Sequence, residues 1–295
     1  MRIVAEKLGH TYNAGTSFSK TALKDVSLEI EEGSFLGVVG HTGSGKSTFI
    51  LHLNTLLPVL EGSLRVGDVV LSPAKKKKKI ARAENRSIIK RVGMVFQYPE
   101  HQLFAETVFE DVSFGVSNFF PELTPEEKES RVRDALTLVG LDYNEIKDKS
   151  PFLISGGQKR RVAIAGVIAV KPEILVLDEP CAGLDPAGKT ELWALLKKLH
   201  AEFAKTVIVV SHDMNDVVEN CDSVALFDGG GVVFHGKTAD LFAKGDAYTG
   251  AGLELPITAY LIKELGLEDI PTDFTIDDFC DKLANKIKES DGQNP

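Results

Sequence analysis

A glycine-rich run between a buried strand pattern and a helical pattern constrains this chain more than any other feature. Phe35 to Val39 is a continuous apolar run, typical of a strand buried on both faces. The residues after it fit G-x-x-x-x-G-K-[ST] in every fixed position, and a helical pattern over 46–57 follows. In such a loop, backbone amides and the amino end of the helix surround phosphate oxygens. The predicted phosphate-contacting residues are Gly40, His41, Thr42, Gly43, Ser44, Gly45, Lys46, Ser47 and Thr48.

Two acids after a second apolar run predict the metal site and the hydrolytic base. Residues 174–177 are apolar, and Asp178 and Glu179 follow them at the end of the predicted strand. Asp178 is placed to hold Mg²⁺ through water, and Glu179 is placed to polarise an attacking water. In the loop, Lys46 would neutralise the β- and γ-phosphates, and the Ser47 hydroxyl would ligate Mg²⁺. Together the two motifs predict only a P-loop NTPase that uses Mg²⁺.

The remaining patterns predict an α/β fold with a parallel sheet. Helical patterns over 187–203 and 214–219 separate three apolar strand patterns, and this alternation is typical of a parallel sheet covered by helices. These strands are Ile174 to Asp178, Thr206 to Val210 and Val224 to Phe227. The first 70 residues indicate further strands, including a hairpin over 63–71. Thr124 and Gly140 mark the start and end of a helix in the more helical middle of the chain.

The last fifty residues, 246–295, have a different character and predict a small helical appendage. One apolar face comprises Ile257, Tyr260, Leu261 and Leu265, and a second comprises Ile276, Phe279, Cys280, Leu283 and Ile287. Two such stripes must be buried somewhere, either on the chain's own domain or against a partner. The sequence leaves both possibilities open.

Composition excludes several classes of protein. The longest apolar stretch, Val162 to Val170, is far shorter than the roughly 18 residues that span a bilayer, and no apolar leader pattern opens the chain. The net charge of −9 argues against nonspecific binding to nucleic acid. Cys181, Cys221 and Cys280 are far apart, which is typical of reduced thiols; Cys181 is either reactive or, as nearby acids favour, inert. The basic run Lys75 to Lys79 is either a solvated loop or a lipid-attracting segment.

A third motif narrows the family. Ser155, Gly156, Gly157 and Gln158 open a helix that runs to about residue 170, and the cap and two glycines expose its first amides as a second anion site. With the two motifs above, the chain resembles the ATP-binding-cassette (ABC) ATPases over residues 1–245. The family usually has leucine where Ile154 stands, a volume-conserving change. The resemblance implies a RecA-like parallel-sheet core, an antiparallel β subdomain and a helical subdomain at about 100–170.

The resemblance also implies roles for single residues. Tyr12 matches the aromatic residue that stacks on adenine, although a surface strand tyrosine is the alternative. Gln97 matches the glutamine that touches Mg²⁺ and senses the membrane subunit, although it is also compatible with a plain loop glutamine. His212 matches the switch histidine that contacts the γ-phosphate, and Asp185 matches the loop that communicates across a dimer. Asp185 also has the position of a helix cap, and both roles are compatible.

Within that family the chain resembles the ATPases of energy-coupling factor (ECF) transporters. The resemblance rests on the stretches 96–104 and 107–112 and on the residues after Ser155. These transporters have two paired ATPase subunits, and the chain is similar to the second of them, A-prime, in Gly40 to Gly43 and in the segment 13–20. The resemblance implies uptake of vitamins or transition-metal ions at the cytoplasmic face of the cell membrane. The implied partners are a second homologous ABC ATPase, as a heterodimer or homodimer, a transmembrane scaffold, and a membrane substrate-binding subunit; nucleic acid is not among them. Leu103, Phe104 and Phe109 are either scaffold contacts or core.

Three alternatives follow from the same residues. A soluble ABC ATPase that acts on DNA or ribosomes would be expected to show a long coiled coil or a second P-loop, and the sequence shows neither. A nucleotide kinase or GTPase would not need the signature Ser155 to Gln158. An ATPase of a different ABC importer, such as one for amino acids, would keep every motif.

Overall fold

Two β-sheets and a layer of helices build the molecule. A computed structural model describes residues 1–73, 78–243, 252–267 and 273–291. The strands are β1 Ile3–Tyr12, β2 Lys20–Ile30, β3 Phe35–Val39, β4 Glu61–Val66, β5 Val69–Leu71, β6 Val92–Val95, β7 Ile174–Asp178, β8 Thr206–Val210, β9 Ser223–Asp228 and β10 Gly231–Lys237. The helices are α1 Lys46–Leu53, α2 Lys78–Arg91, α3 Val108–Phe119, α4 Pro125–Leu138, α5 Tyr143–Ile146, α6 Gly156–Ile168, α7 Pro186–Glu202, α8 Met214–Asn220, α9 Thr238–Ala243, α10 Ile257–Glu264 and α11 Ile276–Asp291.

The larger sheet gathers the predicted motifs at one edge. Its strand order is β10-β9-β3-β8-β7-β6, and the five strands from β9 to β6 run parallel. The carboxyl ends of parallel strands lie at the same edge, where α/β proteins bind ligands. The loops after β3, β6, β7 and β8 therefore meet there, and the predicted parallel sheet is confirmed. The antiparallel strand β10 was not predicted, because the glycines at 229–231 look like the end of the sheet.

The smaller sheet, β2-β1-β4-β5, is antiparallel and covers α1. The predicted hairpin over 63–71 is confirmed as β4 and β5, with Gly67 at φ 60 in the turn. Helix α1 ends at Leu53 rather than at residue 57, because Thr55 adopts a left-handed conformation at φ 59. Phe49, Ile50 and Leu53 of α1 fill the space between the two sheets.

The opposite face of the larger sheet carries the helices of the middle segment. Helix α6 packs against β6, α3 and α4. Capping boxes start α3 and α4: Thr107 and Glu110 exchange bonds at the first, and Thr124 and Glu127 at the second. The predicted helix start at Thr124 and its end at Gly140, which has φ 76, are thus confirmed. Lys75, Lys76 and Lys77 of the lysine run lie outside the described residues.

The predicted apolar face of the first tail helix is wrong. Thr258, Ala259 and Ile262 are buried in α10, whereas Ile257, Tyr260 and Leu265 are about half exposed. The register shifts because the backbone amide of Ile257 is bound by the Asn215 side chain of α8 at 2.8 Å, which fixes how α10 sits on the cassette. In α11 only Phe279 of the predicted stripe is fully buried, and Ile276 and Ile287 are about half exposed.

Candidate functional site

The loop after β3 has backbone geometry that only glycine supplies without strain. Gly40, Gly43 and Gly45 all have positive φ, at 145, 85 and 108°. A Cβ at Gly40 would lie 2.2 Å from the carbonyl oxygen of Phe227, and one at Gly45 would lie 2.7 Å from that of Ala22. The loop therefore curls closely under its neighbours, as a phosphate cradle requires.

Lys46 extends back over this cradle from the first turn of α1. Its Nζ donates to the carbonyl oxygens of Gly40 at 2.6 Å and His41 at 3.0 Å, and the residue is only 8% exposed. Burial lowers the pKa of Lys46, and the neighbouring Glu179 and Asp178 carboxylates oppose that effect. The ammonium group is therefore a desolvated charge at the phosphate cradle.

The donor set beside the cradle fits Mg²⁺. The Ser47 side chain lies close enough to the Asp178 carboxylate to lower its pKa, so oxygens from α1 and β7 are adjacent. Burial and the charge of Glu179 raise the pKa of Asp178, so a cation at this position would compensate a desolvated carboxylate. Hydroxyl and carboxylate oxygens are the ligands that Mg²⁺ prefers.

Glu179 lies between the two other predicted catalytic side chains. Its Oε2 accepts a hydrogen bond from Gln97 Nε2 at 3.0 Å, and its Oε1 lies 3.5 Å from His212 Nδ1. Its own backbone is left-handed, with φ 45, a conformation that is costly for a non-glycine residue and is concentrated at functional sites. The structure thus brings Gln97, Glu179 and His212 together beside Asp178 from three loops distant in sequence.

Tyr12 lies next to the start of α1. Its hydroxyl is 3.2 Å from the Thr48 hydroxyl, and its ring meets that of His10 edge to face at 4.5 Å. His10 is buried and was not predicted. The centroid of its ring lies 4.9 Å from that of the buried His52 of α1. Both histidines therefore support the ring for which the resemblance implies adenine stacking.

His41 has a side-chain partner that was not predicted. Its Nε2 lies 3.0 Å from Asp228 Oδ1 at the end of β9, and its Nδ1 lies 2.8 Å from the carbonyl oxygen of Thr42. Asp228 follows an apolar strand, as Asp178 does, and this is the signal that points to it. The contact connects the cradle to β9.

The signature lies apart from the chain's own cradle. Ser155 accepts from the backbone amide of Gln158, whose side chain bonds back to the amide of Ser155, so Gly156 and Gly157 are exposed in a fully formed cap. Helix α6 packs at β6, which is three strands from β3 and hence about 14 Å away across the sheet. Ser155 to Gln158 are thus the predicted site residues that this chain does not bring to its own P-loop.

Arg160 joins the signature helix to the loop after Glu179, a connection that was not predicted. Its guanidinium binds both carboxylate oxygens of Glu100, at 3.0 and 3.1 Å, and the carbonyl oxygens of Pro180 and Ala182 at 3.1 Å. It is 6% exposed. The sequence signal for this connection is that Arg160 lies four residues before Ile164, on the buried face of α6. A charged residue that is buried there must find partners.

Asp185 caps α7, as predicted. Its Oδ1 accepts from the backbone amide of Gly188 at 2.8 Å. The preceding Leu184 packs against the main core from a partly buried position. The second role, communication across a dimer, remains a prediction.

The three thiols differ in environment, which predicts their reactivity. Burial raises the pKa of Cys181 to about 12 and also raises that of the fully buried Cys221, whereas Cys280 is exposed. Because the thiolate is the nucleophile, iodoacetamide at neutral pH is expected to modify Cys280 first in the native chain. Peptide mapping by mass spectrometry measures this order. Equal rates at Cys181 and Cys280 would contradict the interpretation of Cys181 as inert.

Within the described ranges, no helix combines the length and apolar character needed to cross a bilayer.

Comparisons with known proteins agree with this geometry. Residues 23–182 match the ABC transporter family. The energy-coupling factor transporter ATP-binding protein EcfA2 of Clostridium perfringens is 48% identical over 265 residues, 90% of each chain. EcfA2 of Bacillus cereus (strain ATCC 10987) is 44% identical over 258 residues, 88% of this chain and 85% of that relative.

Two solved structures are also similar. One is cbiO1 of Clostridium perfringens, described as part of the ABC transporter complex cbiONQ, with a TM-score of 0.71, 34% identity, and coverage of 88% of this chain and 98% of that one. The other is a dimeric bacterial ABC transporter cassette, with a TM-score of 0.68, 30% identity, and coverage of 80% and 98%. The resemblance to the ECF ATPases is thereby confirmed. The chain belongs to the ATP-binding subunits of energy-coupling factor transporters within the ABC transporter family, and it is an ATPase whose hydrolysis of ATP is coupled to transport.

Proposed function

We propose that this chain energises an ECF-type importer of vitamins or transition-metal ions from the cytoplasmic face of the cell membrane. Its transport partners would be a transmembrane scaffold and a separate substrate-binding membrane subunit. The names of the EcfA2 relatives and the transporter complex of the cbiO1 neighbour support this assignment. The assignment of ATP hydrolysis rests on the position of Glu179, whose carboxylate is contacted beside the phosphate cradle by side chains from two other loops.

We propose a distinct role for each site residue. Ser47, Asp178 and Gln97 would hold Mg²⁺, which when bound neutralises phosphate charge. Lys46 binds the β- and γ-phosphates, and the cradle amides orient them. Glu179 accepts the proton of the attacking water, and Gln97 and His212 fix the direction of its carboxylate. His212 then contacts the γ-phosphate.

A second homologous cassette would complete the nucleotide site. Ser155, Gly156 and Gly157 of the signature are exposed, and they open a helix that packs at β6, three strands away from the P-loop strand β3, so the signature is free to cap a nucleotide held by another chain. Next to it, Phe152 and Leu153 are 58% and 87% exposed, as expected for residues that a partner covers. We therefore propose a head-to-tail pair, most simply a heterodimer, with two composite ATP sites.

The scaffold would dock beside Gln97. Phe104 and Phe114 pack edge to face at 5.0 Å, yet each remains more than half exposed. Leu103 is buried in the core and Phe109 is partly buried against it, so of the three predicted residues Phe104 is the one available to a partner. An aromatic pair that stays exposed near the glutamine loop fits an apolar element of the scaffold.

We further propose that residues 1–245 form the cassette, with helices of about 100–170 as its helical subdomain, and that 246–295 contribute to dimerisation. The tail is anchored to its own cassette, because Asn215 and Glu219 of α8 accept backbone bonds from the first residues of α10 and α11. It nevertheless leaves Ile257, Tyr260 and Leu265 about half exposed. The anchored face thus packs on the chain's own domain, and the exposed face is available to a partner.

Purification tests the proposed assembly. The tagged chain, extracted from membranes of its source cell with detergent, is expected to retain a second ABC ATPase and an integral membrane protein by intact-complex mass spectrometry. Phe104→Asp with Phe114→Asp should lose the membrane protein only, and Tyr260→Asp with Leu265→Asp should weaken retention of the second ATPase. Val233→Asp, at an exposed apolar residue of β10, is the matched control. A chain that retains no membrane protein would contradict the importer, and full retention by both double variants would contradict the two surfaces.

A further inference from the structure

One ion-pair cluster connects two loops of the site that have no assigned connection. Asp185 caps α7 and lies in the loop predicted to face the partner cassette. Asp213 caps α8 and comes directly after His212. One turn into α7, Lys189 Nζ donates to Asp213 Oδ2 at 2.8 Å and lies 3.6 Å from Asp216 Oδ2. A single side chain therefore joins the two helix starts.

The acidic side of this cluster is rigid. Asp213 Oδ1 accepts from the backbone amides of Asn215 at 3.1 Å and Asp216 at 3.4 Å, so both of its oxygens are engaged when Oδ2 binds Lys189. Because Asp213 directly follows His212 in the chain, a displacement of Lys189 acts on the histidine loop through Asp213.

The charges make Lys189 costly to remove. The Asp216 side chain is only 16% exposed, and burial together with the charge of Asp213 raises its pKa, while Lys189 opposes that effect. In the part of the chain that the structure describes, the ion pairs of Asp213 and Asp216 are both made with Lys189. Two carboxylates would therefore lose their cation together.

Packing does not replace this connection. An open cleft of about 310 Å³ lies between the loops, and its lining includes Glu179, Cys181, Lys189, Trp193, His212 and Asp213. Side chains that face each other across a cleft make few van der Waals contacts, so packing there transmits displacement poorly. Lys189 and Asp213 both line this cleft, and their ion pair bridges it.

We propose that Lys189 is a positioning residue that couples the Leu184-Asp185 loop to His212, and through His212 to Glu179. This inference rests on the proposed roles of Asp185, His212 and Glu179. When a partner cassette fixes Asp185, the rigid start of α7 sets Lys189, which in turn holds Asp213 and the adjacent histidine in place. Dimer contact would then favour hydrolysis without adding a group to the reaction.

Steady-state kinetics on the assembled complex test this coupling. Lys189→Met keeps length but removes the charge, and it is expected to lower kcat about three- to thirtyfold while KM and ATP affinity change less than about twofold. Lys189→Arg should restore kcat to within about threefold of wild type, because a guanidinium still bridges two carboxylates. Lys198→Met, at an exposed lysine of the same helix, is the control and should leave kcat unchanged.

A second variant separates positioning from a merely structural role. Lys189→Met with Asp216→Asn removes the more buried of the two uncompensated charges, so the melting temperature should recover in large part while kcat stays low. Recovery of both would show a stability effect and overturn the proposal, as would a kcat for Lys189→Met within twofold of wild type. Glu179→Gln is measured on the same complex: its normal turnover would overturn the proposed catalytic assignment, whereas an inactive Glu179→Gln beside an unimpaired Lys189→Met overturns the coupling alone.

Discussion

Glu179→Gln is expected to slow ATP hydrolysis about 10²- to 10⁴-fold while ATP binding is retained, the range for loss of a general base. Glutamine keeps the size of the side chain and an oxygen that can accept the hydrogen bond from Gln97, so the loop geometry survives. It cannot take a proton from water. Single-turnover hydrolysis and calorimetry with ATP in the same buffer measure the two quantities.

The matched control for this variant is Glu202→Gln, an exposed residue at the end of α7. It removes the same charge at a distance from the cradle and should hydrolyse ATP as the wild type does. Turnover of Glu179→Gln within a factor of three of wild type would remove Glu179 from the proposed role. A loss of ATP binding in the same variant would instead indicate that the carboxylate supports the cradle.

Lys46→Met is expected to weaken ATP binding about ten- to hundredfold. A hydrogen bond to a charged group contributes about 1.5–3 kcal/mol, and about 1.4 kcal/mol corresponds to tenfold in affinity. Lys46 is desolvated at the cradle, so its interaction with phosphate is poorly screened. Calorimetric titration with ATP in the absence of hydrolysis measures the change.

The same substitution has a second effect that must be separated from the first. Asp178 and Glu179 lose the cation that opposes their charge, so the folded chain is also destabilised. Thermal unfolding of the nucleotide-free chain checks this, and Lys46→Met with Asp178→Asn should raise the melting temperature above that of Lys46→Met alone. Lys198→Met controls for the change in net charge. Unchanged affinity in Lys46→Met would contradict the role of Lys46.

The local motifs were predictable because each is a short continuous segment whose backbone dictates its shape. The positive φ values of Gly40, Gly43 and Gly45 exist because glycine accepts them, and a strand followed by Asp178 and Glu179 needs no distant partner to be recognised. Parallel order in the sheet followed from the alternation of strands and helices. From these facts alone the loops after β3, β6, β7 and β8 had to meet at one edge.

The positions of charged residues within buried faces required the tertiary structure. The sequence does not indicate the partners of Arg160 and Lys189, and each binds groups at least twenty positions away along the chain. Sequence distance carries no information about such pairs, because the partners are brought together only when the sheet order is fixed.

The tail shows the same division between sequence and fold. The sequence determined that α10 is a helix with apolar residues, since helical spacing is a local property. It did not determine which face is buried, because α10 is short and its stripe of Ile257, Tyr260 and Leu265 competes with the face of Thr258, Ala259 and Ile262. The hydrogen bond from the Ile257 amide to Asn215 decided between them, and that contact exists only in the folded chain.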